Sequence, residues 1–208
     1  PLMRINLGIR RRLAPLIDND RRQWLLLNAM LFSLPGTPII YYGDEIGMGD
    51  NINLPDRFGV RTPMQWDDSK NAGFSNAETT YLPVIDEGPY SYRHVNVAAA
   101  EKDPNSYLWA TRFLLQARKQ SPALQQGKMS WYEIENKTIL AFWRVHEERR
   151  VLCLFNLDQQ RQSVSLNLGV FAGKKLVDLL ADSEELTLNE FPMVLNLEPY
   201  AAHWLRIE

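Results

Sequence analysis

The run Thr37-Pro38-Ile39-Ile40-Tyr41-Tyr42 is continuously apolar after its first residue and rich in β-branched and aromatic side chains. That pattern predicts a strand buried on both faces within a parallel sheet, since a half-solvated strand would alternate with polar residues. A helix is expected before it, over residues 21–34, where Trp24, Leu25, Leu26, Leu27, Ala29, Met30, Leu31, Phe32 and Leu34 wrap most of the way round. Such a helix should be covered on nearly all sides. Asp18 or Asp20 can cap its first turn, and Pro35-Gly36 stops it. Helix, tight loop and buried strand form the grammar of an α/β fold. A buried parallel strand needs a neighbour on each edge, yet the first 124 residues offer only this one good candidate. The rest of its sheet is therefore expected outside this sequence. The opening at Pro1, without initiator methionine or signal-like segment, agrees with a cut made in a longer protein.

From residue 43 to 103 periodicity is absent, and Gly, Pro, Asn and Asp recur in Gly47-Met48-Gly49-Asp50-Asn51, Leu54-Pro55-Asp56 and Asn71-Ala72-Gly73. Such length implies a functional loop. A second helix is expected with Asp103 as its cap and Pro104 as its first residue, running to about Gln120, where Ser121-Pro122 ends it. Beyond Leu124 the texture changes. Residues 129–135, 138–145, 151–156, 163–168, 175–180, 193–197 and 201–207 read as short strands at hairpin spacing. Ile139, Ala141, Trp143 and Val145 share one face, and Asn136-Lys137 supplies a tight turn before them. The expected division is thus residues 1–124, part of an α/β domain, and residues 125–208, an antiparallel β-sandwich.

Charge and composition remove several function classes. Twenty-three Lys plus Arg stand against 25 Asp plus Glu, a formal charge of −2, with no basic stripe for nucleic acid. The longest apolar run, residues 24–34, is broken by Asn28 and Ser33 and falls short of the roughly 20 residues that cross a bilayer, so no membrane anchor is expected. The single cysteine, Cys153, lies in an apolar run, reads as a small buried hydrophobe, excludes an intrachain disulfide and suits a reducing, cytoplasmic setting. His94, His146 and His203 are isolated, and no metal spacing occurs. Arg10-Arg11-Arg12, with Asp18 and Asp20 downstream, reads as a solvated, self-compensating charge cluster.

Two segments carry a resemblance. Gly36-Thr37-Pro38-Ile39-Ile40-Tyr41-Tyr42-Gly43-Asp44-Glu45-Ile46-Gly47 resembles the last barrel strand of the α-amylase family of glycoside hydrolases, and Arg61-Thr62-Pro63-Met64-Gln65-Trp66-Asp67 resembles its following loop. Asn6-Leu7-Gly8-Ile9-Arg10-Arg11-Arg12-Leu13-Ala14-Pro15-Leu16, Gly47-Met48-Gly49-Asp50-Asn51-Ile52 and Asn71-Ala72-Gly73-Phe74-Ser75 narrow it to the trehalose synthases, the maltose glucosyltransferases of that family. The resemblance implies that residues 1–124 close a (β/α)8 barrel and that the rest is the family's C-terminal sandwich. It implies a retaining mechanism through a covalent glucosyl intermediate, with one carboxylate as nucleophile and a second carboxyl as acid and base. The family's motifs for those carboxylates are absent here, so no catalytic residue is assigned, and Asp44 and Glu45, adjacent in sequence, are poorly placed to act as a pair.

What the resemblance leaves to this chain is substrate grip at the C-terminal ends of the barrel strands. Arg61 matches the family position that pairs with a carboxylate beneath the terminal glucose, a role suited to a permanently charged planar fork. Asp44 and Glu45 emerge at the strand end, and Asp56 and Arg57 are either solvated loop charges or contacts to the leaving sugar. Trp66 and Met64 read as loop anchors, whereas Tyr81, Tyr90, Tyr92, Tyr107 and Phe74 either stack on sugar or fill the loop's own core. The chemistry requires no cofactor, and any family calcium site would lie upstream. Expected partners are maltose and trehalose, the remainder of the barrel, a fused maltokinase in some relatives, and a second copy through exposed apolar flanks. The competing readings are an α-glucosidase or oligo-1,6-glucosidase, and a carbohydrate-binding sandwich with Trp131, Trp143 and Trp204 as platforms. Alternation argues that Trp143 is core.

Overall fold

The computed structural model describes residues 10–181 and 185–208. The segment Asn6-Leu7-Gly8-Ile9, part of the family-like motif, lies outside the described residues. By contact the chain forms two compact units, Pro1–Trp24 with Ile39–Arg112, and Leu25–Pro38 with Phe113–Glu208.

The first unit is built mainly from turns. Helix α1 (Leu13–Leu16) leads into Asp18 and Asn19, both at positive φ, and then into α2 (Arg21–Ser33). Asp20 caps α2, its Oδ1 accepting the Arg22 amide at 2.8 Å. Trp24, 1% exposed, stacks on Tyr107 with ring centroids 4.7 Å apart. Within the supposed loop, α3 (Val97–Lys102) is capped by Asn96, whose Oδ1 accepts the Ala99 amide at 2.7 Å. Asn96 ahead of Val97-Ala98-Ala99-Ala100 is a helix-start signal that could have been read. A small core of Ile46, Met48, Met64 and Leu108 organises this region. The second expected helix begins later than read, as α4 (Tyr107–Gln120): Asp103 Oδ1 instead accepts the Asn105 amide at 2.9 Å and closes a turn over Pro104.

Residues 37–42 bear out one expectation and correct another: their sheet neighbours are not among the described residues, and the segment is therefore not a buried strand. They form no ladder among the described residues, and Ile39 is 83% exposed. An extended segment becomes a strand only when another backbone takes up its N–H and C=O groups, and no such neighbour is among the described residues. Helix α2 likewise leaves Leu27, Leu31 and Leu34 partly exposed, the uncovered apolar flank expected of this chain by itself.

The second unit holds the sandwich. After α5 (Pro122–Gln126), which starts with proline behind the Ser121 cap, come β1 (Lys128–Trp131), β2 (Ile139–His146), β3 (Arg149–Asn156), β4 (Gln162–Leu166), β5 (Lys175–Asp178), β6 (Leu186–Thr187), β7 (Met193–Leu197) and β8 (Ala202–Ile207). Six of them form one antiparallel sheet, ordered β1-β2-β3-β8-β5-β6, and β4 pairs β7 in a second. Leu152, Leu154 and Leu205 from the large sheet join Val164, Leu166 and Leu197 from the small one in a shared core. Each fully buried leucine contributes about 1.5–3 kcal/mol relative to exposure.

The other face of the large sheet is also buried, through Phe142, Arg144, Cys153, Phe155 and Trp204. Helix α5 packs against β2 and β3. Arg144, 1% exposed, donates from Nε and Nη2 to the Gly127 carbonyl at 3.3 and 2.9 Å, and from Nη1 to the Ser33 carbonyl. Arg118 donates to the carbonyls of Phe32 and Gly36, so two guanidiniums complete the C-terminal end of α2. Trp143 packs on the core as alternation predicts, Trp204 is fully buried, and only Trp131 of the proposed platform residues is well exposed. His203 is not isolated: its Nδ1 lies 2.7 Å from Asp178 Oδ2.

Candidate substrate-binding site

A cleft of about 680 Å³ in the first unit is lined by Arg11, Arg12, Tyr41, Asp44, Arg57, Val60 and Arg61, with Leu13 and Leu16. Three of the five residues expected to bind substrate, Asp44, Arg57 and Arg61, are therefore brought together. Asp56 is exposed at φ +49 and Glu45 is half-buried, and neither lines the cleft. Glu45 Oε2 is buried without a hydrogen-bond partner among the described residues.

The local sequence explains the placement of Asp44. Residues Asp44–Ile46 form one 3-10 turn between two glycines in the left-handed region, Gly43 at φ +88 and Gly47 at φ +71. A Cβ on Gly43 would come within 2.4 Å of Met48 Sδ, and one on Gly47 within 2.4 Å of the Tyr107 ring. The Gly-Asp-Glu-Ile-Gly sequence thus folds into a tight knuckle with Asp44 toward the cleft. A second 3-10 turn, Phe58–Val60, delivers Arg61, whose amide donates to the Phe58 carbonyl at 3.0 Å. Tyr42 Oη donates to the Thr62 carbonyl at 2.8 Å and ties the two turns.

The arginine triplet is not the solvated cluster its sequence suggests. Arg10 donates to the Ile52 carbonyl at 2.9 Å, Arg11 Nε meets Asp50 Oδ2 at 3.0 Å, and Arg12, 2% exposed, bonds Asp44 Oδ1 at 2.9 Å. Asp20 pairs with Arg22 instead, which holds its carboxyl down at about 2. Burial raises the Asp44 carboxyl above the usual aspartate range, and the Arg12 charge and hydrogen bond oppose that rise. Burial likewise raises the Tyr42 phenol. Arg57 and Arg61 are exposed and make no side-chain hydrogen bond or ion pair to the described residues. The cleft therefore presents two guanidinium forks without a hydrogen-bond partner among the described residues, beside an aspartate and an aromatic ring, a set suited to vicinal hydroxyls and carboxylates.

Among the loop side chains, Met64 is core as expected, whereas Trp66 is half exposed. Tyr92 is buried; Tyr81 is 91% exposed, and its ring meets that of Phe58 edge-on at 6.4 Å. No group of three or more His, Cys, Asp or Glu among the described residues is placed to hold a metal, and no described helix is long and apolar enough to cross a membrane.

Comparison with known proteins agrees with this architecture. The family model for the α-amylase catalytic domain matches residues 10–127, and that for the maltogenic amylase C-terminal domain matches residues 129–204. The chain belongs to the α-amylase family: it carries part of the catalytic domain followed by a C-terminal antiparallel sandwich. Within that family it is 42% identical to the trehalose synthase of Pimelobacter sp. (strain R48), matched over 100% of this chain and 37% of that protein. It is also 42% identical to the trehalose synthase/amylase TreS of Mycobacterium tuberculosis (strain H37Rv), over 100% of this chain and 35% of the relative. The trehalose synthase of Thermus thermophilus is 47% identical over 87% of this chain and 19% of its own length. This chain thus spans 19–37% of the length of these three relatives. The fold is that of the trehalulose synthase MutB from Pseudomonas mesoacidophila MX-45, at TM-score 0.72 and 23% identity over 95% of this chain and 41% of that one.

Proposed function

We propose that this chain is the C-terminal part of an enzyme that interconverts maltose and trehalose by intramolecular glucosyl transfer, and that its own share of the work is to grip the substrate. The observation that carries the reading is the cleft in which Asp44, Arg57 and Arg61 converge on the family's strand-end and loop motifs. The unladdered, exposed residues 37–42 and the limited span relative to trehalose synthases support the view that the remaining barrel strands lie elsewhere in the parent protein. The nucleophile and the acid/base carboxyl would come from that part, forming and resolving a β-linked glucosyl ester with net retention. Arg61 would engage a carboxylate or the hydroxyls of the terminal glucose, closing the pocket so that the released glucose, not water, attacks the intermediate. The 208-residue chain alone would neither isomerise nor hydrolyse maltose. The buried thiol of Cys153 supports a reducing cytoplasmic setting.

The test is Arg61→Ala in the full-length enzyme. A hydrogen bond from a charged donor is worth about 1.5–3 kcal/mol, so loss of the Arg61 fork should lower kcat/KM for maltose by about tenfold or more, while thermal stability, to which this exposed side chain adds little, stays nearly unchanged. Arg61→Lys should recover little, since an ammonium lacks the planar fork. Unchanged kinetics would remove Arg61 from the site, and full-length protein that only releases glucose would favour the α-glucosidase reading.

A further inference from the structure

Arg12 belongs to a run that reads as surface charge, yet its guanidinium is the most heavily engaged polar group of the cleft. Nη1 donates to the Tyr42 carbonyl at 2.7 Å and to Asp44 Oδ1 at 2.9 Å, and Nη2 donates to the Val60 carbonyl at 3.0 Å. The same group lies over both the Tyr41 and Tyr42 rings, 5.1 and 5.0 Å from their centroids. Its acceptors are 30, 32 and 48 residues away in sequence. They are also the acceptors that matter to the site: one is the Asp44 carboxylate, and another is the carbonyl immediately before Arg61. The Arg12 backbone amide is held in turn by Asp50 Oδ2 at 2.8 Å.

We propose that Arg12 is the positioning residue of this cleft: it fixes the Asp44 turn and the Arg61 turn at one separation and so sets how a disaccharide seats against them. The inference rests on the reading of the cleft as a sugar site. A planar fork is required, because only diverging N–H vectors satisfy a carboxylate on one turn and a carbonyl on the other at once. A lysine at this position reaches one side only. Loosening either turn lets the bound glucose tilt and admits water to the intermediate, so the product ratio reports on Arg12 in a way that stability does not.

The experiment uses the full-length enzyme with Arg12→Lys and Arg12→Gln, with rates normalised to the folded fraction measured by thermal unfolding. The expected result is a rise in KM for maltose of about tenfold, a smaller fall in kcat, and an increase of about fivefold or more in glucose released per trehalose formed. Folded variants with wild-type KM and product ratio would overturn the proposal. If both variants fail to fold, the double variant Arg12→Gln/Asp44→Asn removes the unpaired, half-buried carboxylate and is read against Asp44→Asn alone. A further KM rise supports the assignment, and identical kinetics overturn it. Wild-type enzyme inactive on maltose would overturn the functional reading and this inference with it, whereas active wild type with unaltered variants overturns this inference alone.

Discussion

Arg144→Met sets opposing effects of similar size against each other. Arg144 is a buried cation that pairs with no carboxylate among the described residues, and burial lowers its pKa from the usual arginine value, with Cys153 opposing the shift and the Arg118 charge adding to it. On that ground an apolar replacement should relieve strain, as it does for some buried ion pairs. Against it stand the acceptors: the Gly127 and Ser33 carbonyls take three hydrogen bonds from this one side chain. Methionine fills much of the volume and satisfies neither. A buried unsatisfied carbonyl costs about 1–3 kcal/mol, so two cost about 2–6, while the relief from removing a partly compensated guanidinium offsets about 1–2. The expected net is a destabilisation of up to about 5 kcal/mol, centred near 2–3. Urea unfolding followed by fluorescence of the buried Trp204 measures it as a shift in midpoint at constant m-value. Arg144→Lys should recover less than half of the loss, because one ammonium cannot span both carbonyls. An Arg144→Met variant as stable as wild type would refute the reasoning, since it would mean that the carbonyls find other donors and that the cation is a net burden.

Gly47→Ala should destabilise the chain by about 2–4 kcal/mol in the same assay, from left-handed backbone strain plus displacement of the Tyr107 ring, and a change below about 0.5 kcal/mol would contradict that packing. Cys153, whose thiol burial pushes up to about 12, should resist thiol reagents at pH 8 until denaturant is added, and rapid labelling of the native chain would refute its burial. Because the unfolded thiol ionises near 9.0 and the folded one does not, this group's contribution to stability should fall as pH climbs from about 9 toward 12. The division at residues 1–124 and 125–208 predicts limited-proteolysis ends between residues 120 and 128. A protected piece that begins near Phe113 and retains the fully buried Leu124 would move the boundary to Arg112/Phe113.

Legibility in the sequence followed how local the determining physics is. The strands of the sandwich could be read because alternation is a property of each strand alone, and Ile139, Ala141 and Trp143 face the core as written. The short β6 escaped because two residues carry no period. Residues 37–42 were read correctly for composition but not for state, since ladder formation depends on another backbone. The cleft gathers Asp44, Arg57 and Arg61, which motif and turn signals single out in the sequence. Arg12 was missed because a triplet of arginines looks the same whether it is solvated or threaded through a loop tens of residues away. The one available hint was that no acidic residue stands within a helical turn of Arg12, while Leu13-Ala14-Pro15-Leu16 beside it are apolar.

The membership of residues Leu25–Pro38 in the same compact unit as Phe113–Glu208 bears on the order of synthesis. During translation this segment leaves the ribosome long before β2 and β3, so Leu26, Ala29 and Phe32 have nothing of their own unit to rest on until most of the chain has been made. Helix α2 must wait, carrying apolar surface through the interval in which nascent chains are most prone to stray contacts. The two buried arginines give the delay a definite end, because the carbonyls at the end of α2 exchange water for their side-chain donors only when Arg118 and then Arg144 emerge.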